Sequence, residues 1–207
     1  MFEEKSTAQA PARTAVQRRG VERRRAILDA AEALLGEQGY EAATLKAIGE
    51  RAGIPVASMY HYFSDRHQVD AELLRRHLRT LGERVGAALE DSELPSLRVA
   101  VDTIIDPMSE YFRAHPSCVE LWFSGRGETV NELVRAFDTA LADRSCDLLV
   151  ERGLVRADTP RLVLRLAFEV GNRLFDLAFR ESRAGDDVTI GEARRMVTAY
   201  LETYADR

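Results

Sequence analysis

The chain is 207 residues long, 45% hydrophobic and 30% charged, with a formal net charge of −5 at pH 7. That is enough apolar material for a buried core and one or two domains, whereas its uncharged apolar runs fall far short of the roughly 18 residues of a membrane span. Residues 1–20 lack the apolar block of a signal peptide, so a soluble, cytoplasmic protein with no membrane partner is expected.

The charge is unevenly spread. Residues 1–66 hold ten Lys/Arg against nine Asp/Glu, and the remainder nineteen against twenty-five. Within the first part, Arg13, Arg18, Arg19, Arg23, Arg24 and Arg25 precede the first apolar helix, a basic arm able to follow a phosphate backbone. Residues 1–20 read as a disordered arm.

Helical periodicity then runs nearly the whole length, with no convincing alternating strand, and predicts an all-α protein. Ile27, Ala31, Leu34 and Gln38 mark a first helix ending before Gly39; Thr44 caps a short second helix that stops at Gly53. A third short helix follows Pro55. A long fourth begins near Asp65, with Val69, Leu73, Leu74, Leu78, Leu81, Val85 and Leu89 along one side.

Downstream, Pro95 opens a helix carrying Leu97, Val101, Ile105, Met108 and Phe112, which Pro107 is expected to kink and Pro116 to end. A short element surrounds Leu121 to Phe123, and a helix through Val130, Val134, Phe137 and Leu141 closes at Gly153. Asp158 or Thr159 is expected to cap the next helix, with Pro160 in its first turn. The last two helices are expected over 160–183 and 189–204.

The two short helices carry the functional signal. Gly53, Ile54 and Pro55 make a three-residue turn of the helix-turn-helix kind, in which Gly53 supplies a left-handed backbone and the small Gly49 allows a close crossing. Ile48, Ala52, Ile54, Met59 and Phe63 fall where the inter-helix core belongs. Ala57 and His61 then lie on the opposite face, flanked by Ser58 and Tyr60. A helix this short suffices if only its first two turns enter a DNA major groove.

The run "ILDAAEALLGEQGYEAATLKAIGERAGIPVASMYHYFSDRHQV" resembles the DNA-binding domain of the tetracycline-repressor (TetR) family. It has an apolar first helix, a Gly-Tyr, a Thr-capped second helix, Ala-Gly-Ile, and Tyr-x-Tyr-Phe ahead of a basic position. The resemblance implies that Thr44, Tyr60, Tyr62 and Arg66 meet phosphates, and that Lys46, Val56, Ala57, Ser58 and His61 lie near bases. Two positions depart from the family pattern: Pro55 stands where a hydroxyl is usual, and Arg66 where lysine is commoner. The layout implied is an arm over 1–20, a DNA-binding domain over 21–67, and a helical effector-binding and dimerisation domain over 68–207.

The second domain carries no local motif, so its reading rests on helical faces. Val170 and Leu174 on the eighth helix, and Val197 and Leu201 on the ninth, belong to apolar stripes too broad for one core to cover. In proteins this chain resembles, the last two helices pair with their mates in a four-helix bundle, which implies a homodimer on a palindromic double-stranded operator. Met108, Phe112, Trp122, Phe137, Phe168 and Phe175 offer the lining of a cavity for a mostly apolar effector, with Glu169, Asn172 or Arg173 as a polar anchor.

Three classes of function compete: a ligand-responsive repressor, a DNA-binding regulator of the same fold without a small-molecule effector, and a helical enzyme. The one local cluster with catalytic residue types, His115-Pro-Ser-Cys118, has no carboxylate at hydrogen-bond spacing, so no enzyme is expected. No cofactor and no metal are expected either. His67, His77 and His115 lack ligand spacing, and His67 and His77 are placed on a solvated helix face. Cys118 and Cys146 read as small buried hydrophobes.

Overall fold

The structure, a computed structural model, describes residues 10–123 and 127–205, with side chains from residue 17 onward. Its described residues form nine helices and no strand: α1 (Ala10–Gln38), α2 (Leu45–Arg51), α3 (Val56–Tyr62), α4 (Arg66–Asp91), α5 (Leu97–Ala114), α6 (Pro116–Phe123), α7 (Glu128–Glu151), α8 (Arg161–Glu181) and α9 (Asp187–Glu202). Among them no helix is long and apolar enough to cross a membrane. The chain divides into two compact units after Asp70, a boundary that falls inside α4.

The expectation of disorder over residues 1–20 is corrected for residues 10–20, which belong to α1; residues 1–9 lie outside the described part. Ala, Gln and Arg favour a helix, Pro11 stands in the first turn where an N–H has no intrahelical acceptor, and Gly20 is a single interior weakness. In the first unit α1 packs on α2 and α2 on α3. Ile27, Ala31 and Leu35 of α1, with Ile48, Met59 and Phe63, are 0–1% exposed. Each large side chain buried this way contributes about 1.5–3 kcal/mol relative to exposure.

The second unit comprises the rest of α4 with α5 to α9, where α8 packs on both α7 and α9, and α9 on α5. Charged clasps join these helices: Arg194 of α9 reaches Asp102 and Asp106 of α5, while Arg161 and Arg165 of α8 hold Asp143 and Asp147 of α7. Arg165 is tied across to α7 through both oxygens of Asp143.

Pro107 lies within α5, which continues through it as one helix to Ala114. Two expectations are revised here. Pro160 is itself the N-cap of α8, with extended backbone and no side-chain cap, so Asp158 and Thr159 stand outside the capping position. His77 is buried, not solvated: it sits on the same side of α4 as Leu73, Leu74 and Leu81, with Nδ1 2.8 Å from the Tyr111 hydroxyl and Nε2 3.2 Å from Ser117 Oγ. Burial, reinforced by His115 and Arg76, pushes its pKa down to about 3 and holds the ring neutral.

Candidate nucleic-acid interface and effector cavity

The reading head is built as the sequence suggests, on local geometry. Thr44 caps α2 by accepting the Ala47 N–H at 3.1 Å. Gly53 adopts φ +66°, the left-handed conformation that reverses the chain cheaply only at glycine. At Gly49 a Cβ would stand 2.9 Å from the Ile54 carbonyl oxygen and 3.1 Å from Met59 Cγ, so α2 and α3 cross as closely as a missing side chain permits. With Met59 and Phe63 locked beneath, α3 turns its other edge outward: Ala57, Tyr60 and His61 are exposed, Tyr60 at 60%. Val56, Ser58 and Tyr62 are half-buried.

Around this edge lie cations and hydroxyls. The Tyr62 hydroxyl accepts from Arg23 at 3.4 Å and its carbonyl from Arg24 at 3.1 Å, while the Arg24 guanidinium stacks on the Phe63 ring. Thus α1 braces the end of α3 with part of the basic segment, and Arg18, Arg19 and Arg25 are exposed. Lys46 is exposed and loosely paired with Glu50 at 3.9 Å, a contact weak enough to yield to a phosphate or a base.

Arg66 is the exception among the expected DNA contacts. Its guanidinium is turned inward, bound to Asp70 at 2.7 Å and to the Ala43 carbonyl, and it stacks on the Tyr40 ring, whose hydroxyl also donates to Asp70 at 2.9 Å. With Nε and one terminal nitrogen bound within the head's own scaffold, and the other buried without a partner, Arg66 orders α4 against the segment ahead of α2. Sequence spacing alone could not distinguish this from a phosphate contact.

In the second unit the expected effector residues are divided between two cavities and the packing beside them. Met108, Phe168, Asn172 and Phe175 line an apolar cavity of about 60 Å³ between α5, α7, α8 and α9. Trp122, Glu169 and again Asn172 line a wider, partly polar cavity of about 470 Å³ between α6, α7 and α8. Phe112 and Phe137 line neither. Phe112 is wholly buried, ringed by Trp122, Phe123, Phe175 and Phe179 at centroid distances of 5.2–6.0 Å; Phe137 stacks edge-on against Trp122 and abuts Gly82.

The larger cavity contains a residue that sequence reasoning passed over. Asp138 is 8% exposed, yet its carboxylate accepts a single hydrogen bond, from Asn172 Nδ2 to Oδ2 at 2.6 Å; Oδ1 is buried with no partner. Burial pushes its pKa up to about 7, against the pull of the Asn172 hydrogen bond and with help from Glu169. A signal was present: Asp138 interrupts the stripe Val130, Val134, Leu141 at the helical spacing of four and three.

Of the expected interface residues, Val170 is exposed, at 42%, and Leu174 and Val197 are half-buried. Leu201 is 3% exposed and lines the small cavity, so it belongs to the protomer's own core. The exposed apolar stripe of α8 consists instead of Leu162, Leu166, Val170 and Leu177, at steps of four, four and seven, with Met196 exposed on α9. Leu162 and Leu166 follow the same periodicity and were legible in principle.

A short helix offering its outer edge beyond a glycine turn, on a second short Thr-capped helix, is the reading head of a helix-turn-helix DNA-binding protein. Residues 27–72 match the profile of bacterial regulatory proteins of the tetR family, and residues 96–201 that of the tetracyclin repressor-like C-terminal domain. The chain is 27% identical over 187 residues to the HTH-type transcriptional regulator BetI of Rhizobium meliloti (strain 1021), covering 88% of this chain and 89% of that protein. A TetR-family transcriptional regulator from Streptomyces coelicolor is 33% identical, covering 88% of this chain and 99% of that one with a TM-score of 0.66. RolR, solved in complex with its ligand resorcinol, is 15% identical over 92% of this chain and 98% of its own, with a TM-score of 0.66, and shares the fold.

The chain therefore belongs to the TetR family, and it is a DNA-binding transcriptional regulator, not an enzyme. Regulators of this family bind DNA and small-molecule effectors, and typically act as dimers.

Proposed function

We propose that the protein is a cytoplasmic, ligand-responsive repressor that binds a palindromic operator as a homodimer. The observation that carries this reading is the outward edge of α3. A 60%-exposed tyrosine with exposed Ala57 and His61, over a core locked by Met59 and Phe63, has no use in the head's own stability. Thr44, Tyr60 and Tyr62, with the arginines of α1, supply phosphate contacts. Lys46, Val56, Ala57, Ser58 and His61 face bases. Arg66 acts behind them as a positioning residue.

Dimerisation is supported by the α8 stripe: Leu162, Leu166, Val170 and Leu177 leave a continuous apolar strip open, which a second copy covers by two-fold symmetry. Two heads about 34–36 Å apart then match a palindrome. Effector control is supported by the 470 Å³ cavity, which lies within the usual range for small-molecule sites, whereas the 60 Å³ cavity holds no more than a few waters. RolR, which shares the fold, is solved with resorcinol bound, which supports this reading.

Selection from random duplexes tests the reading. It should return a two-fold symmetric site whose affinity falls steeply with salt; enrichment without symmetry, or none, contradicts it.

A further inference from the structure

The cavity between α6, α7 and α8 holds a charge arrangement that the packing around it leaves incomplete. Asp138 at its inner wall is 8% exposed, and Oδ1 has no hydrogen-bond partner while Oδ2 is taken by Asn172. Trp122 and Phe123 line the same space, and Glu169 adds a second carboxylate. The two arginines on the lining, Arg135 and Arg173, are exposed, and Arg173 is bound to Asp176. Positive charge on the lining is therefore confined to exposed side chains, and its one buried ionisable group, Asp138, is acidic.

These features discriminate among ligand chemistries. An anion reaching the inner wall would meet Asp138, having passed Glu169 on the lining. A neutral apolar molecule would leave Oδ1 dry and unpaired, at the full desolvation cost. A quaternary ammonium would supply charge and stack on the aromatic rings, but it has no N–H to give. A protonated amine supplies charge, a donor for Oδ1, and a cation beside the rings.

We propose that this cavity binds a small organic ammonium ion, with one N–H donating to Asp138 Oδ1 and the apolar part resting against Trp122 and Phe123. This assignment rests on the reading of the second unit as the effector-sensing part, and deepens it by naming the effector's class.

Trp122 is the chain's single tryptophan, so intrinsic fluorescence reports on this cavity directly. Full-length protein would be titrated with benzylammonium, benzyltrimethylammonium, benzyl alcohol and benzoate at constant ionic strength. Benzylammonium should give a saturable change, with the other three at least roughly tenfold weaker. Asp138→Asn should weaken benzylammonium by about tenfold or more and leave benzyl alcohol unaltered. Glu169→Gln, at an exposed position, should cost about two- to threefold.

The assignment is overturned by any of three results: no saturable response to benzylammonium, equal or tighter binding of the alcohol, the trimethyl compound or benzoate, or undiminished affinity in Asp138→Asn. The comparison of ligands on wild-type protein stands even if that variant does not fold. Parallel binding to the selected duplex separates the two readings. Release from DNA by some other ligand class, with benzylammonium inert, refutes the amine assignment alone. Asp138-dependent amine binding that leaves DNA affinity unchanged upholds the site and refutes its coupling to DNA.

Discussion

The two units of this chain bury polar groups in different states. In the first, the described core is apolar around α1 to α3, Thr44, Lys46, Tyr60 and His61 face outward, and the buried Asp70 is paired with Arg66 and Tyr40. In the second, polar groups lie deep: His77 bonded to Tyr111 and Ser117, and Asp138 with one oxygen unpaired at a cavity wall. A surface meant for a rigid, charged partner such as DNA gains from a firm apolar support that presents donors without reorganisation. A cavity meant for a small molecule gains from buried polar groups whose incomplete pairing the ligand completes. Stability is thus concentrated in the head's crossing and withheld at one place in the body.

That contrast can be broken most forcefully at the proposed dimer face. Val170→Asp or Leu166→Asp places a charge where a second copy should lie, and should cost about 3–5 kcal/mol of association. Light scattering should then show monomers and DNA affinity should collapse, while the protomer's helicity is retained because both side chains are exposed in it. Unchanged assembly would assign the stripe to another partner.

The next effect concerns protons. The Asp138 carboxyl has its pKa raised to about 7, so its penalty is absent below the unfolded value near 4, grows as pH rises through that window, and is complete above 7. Its size is on the order of 4 kcal/mol. His77, depressed to about 3, works in the other direction: its contribution is present above about 6.5 and is lost as pH falls. Between pH 4 and 6.5 the two slopes oppose each other. Urea unfolding of Asp138→Asn should therefore reveal a stability that falls with acid more steeply than in wild type, and that exceeds wild type at pH 8. Parallel pH profiles for the two proteins would refute the buried-carboxylate account.

A smaller effect sharpens the head. An alanine at Gly49 would gain the usual helix preference of about 1 kcal/mol, but its Cβ meets the Ile54 carbonyl at 2.9 Å, a backbone atom that cannot swing aside. The net change should be a loss of about 1–2 kcal/mol in denaturant titrations, with weaker DNA binding. A net gain would mean that α2 and α3 are not in the close crossing described. Arg66→Lys belongs to the same test: as a positioning residue with several inward contacts, it should lose head stability by about 1 kcal/mol without lowering the salt slope of DNA binding.

The difference between the units also explains what the sequence disclosed. The head is local: cap, turn glycine, crossing glycine and recognition edge lie within twenty residues, so helical spacing fixed the inner face of Ile48, Met59 and Phe63 and left Tyr60 outside. Arg66 escaped because two of its partners, the Ala43 carbonyl and Tyr40, lie more than twenty residues back, although Asp70 stands four residues ahead. The body is assembled from helices far apart in sequence, and only the angle of packing decides which side of an apolar helix meets a cavity. Hence Phe112, aromatic and well placed on its stripe, proved solid core, and Leu201 lay inside the protomer. Asp138 was readable as a polar break in an apolar stripe, but the direction of its unpaired oxygen was not.

The most direct test of the central claim, that the outward edge of α3 reads DNA together with Lys46 of α2, is a binding profile of Ser58→Ala and Lys46→Ala over every single-base variant of the selected operator, at fixed salt. The account predicts a change of preference at one position in each half-site, by about 1–3 kcal/mol, with the other positions unaltered. A uniform loss over all base substitutions would contradict it, and would reduce these residues to backbone contacts.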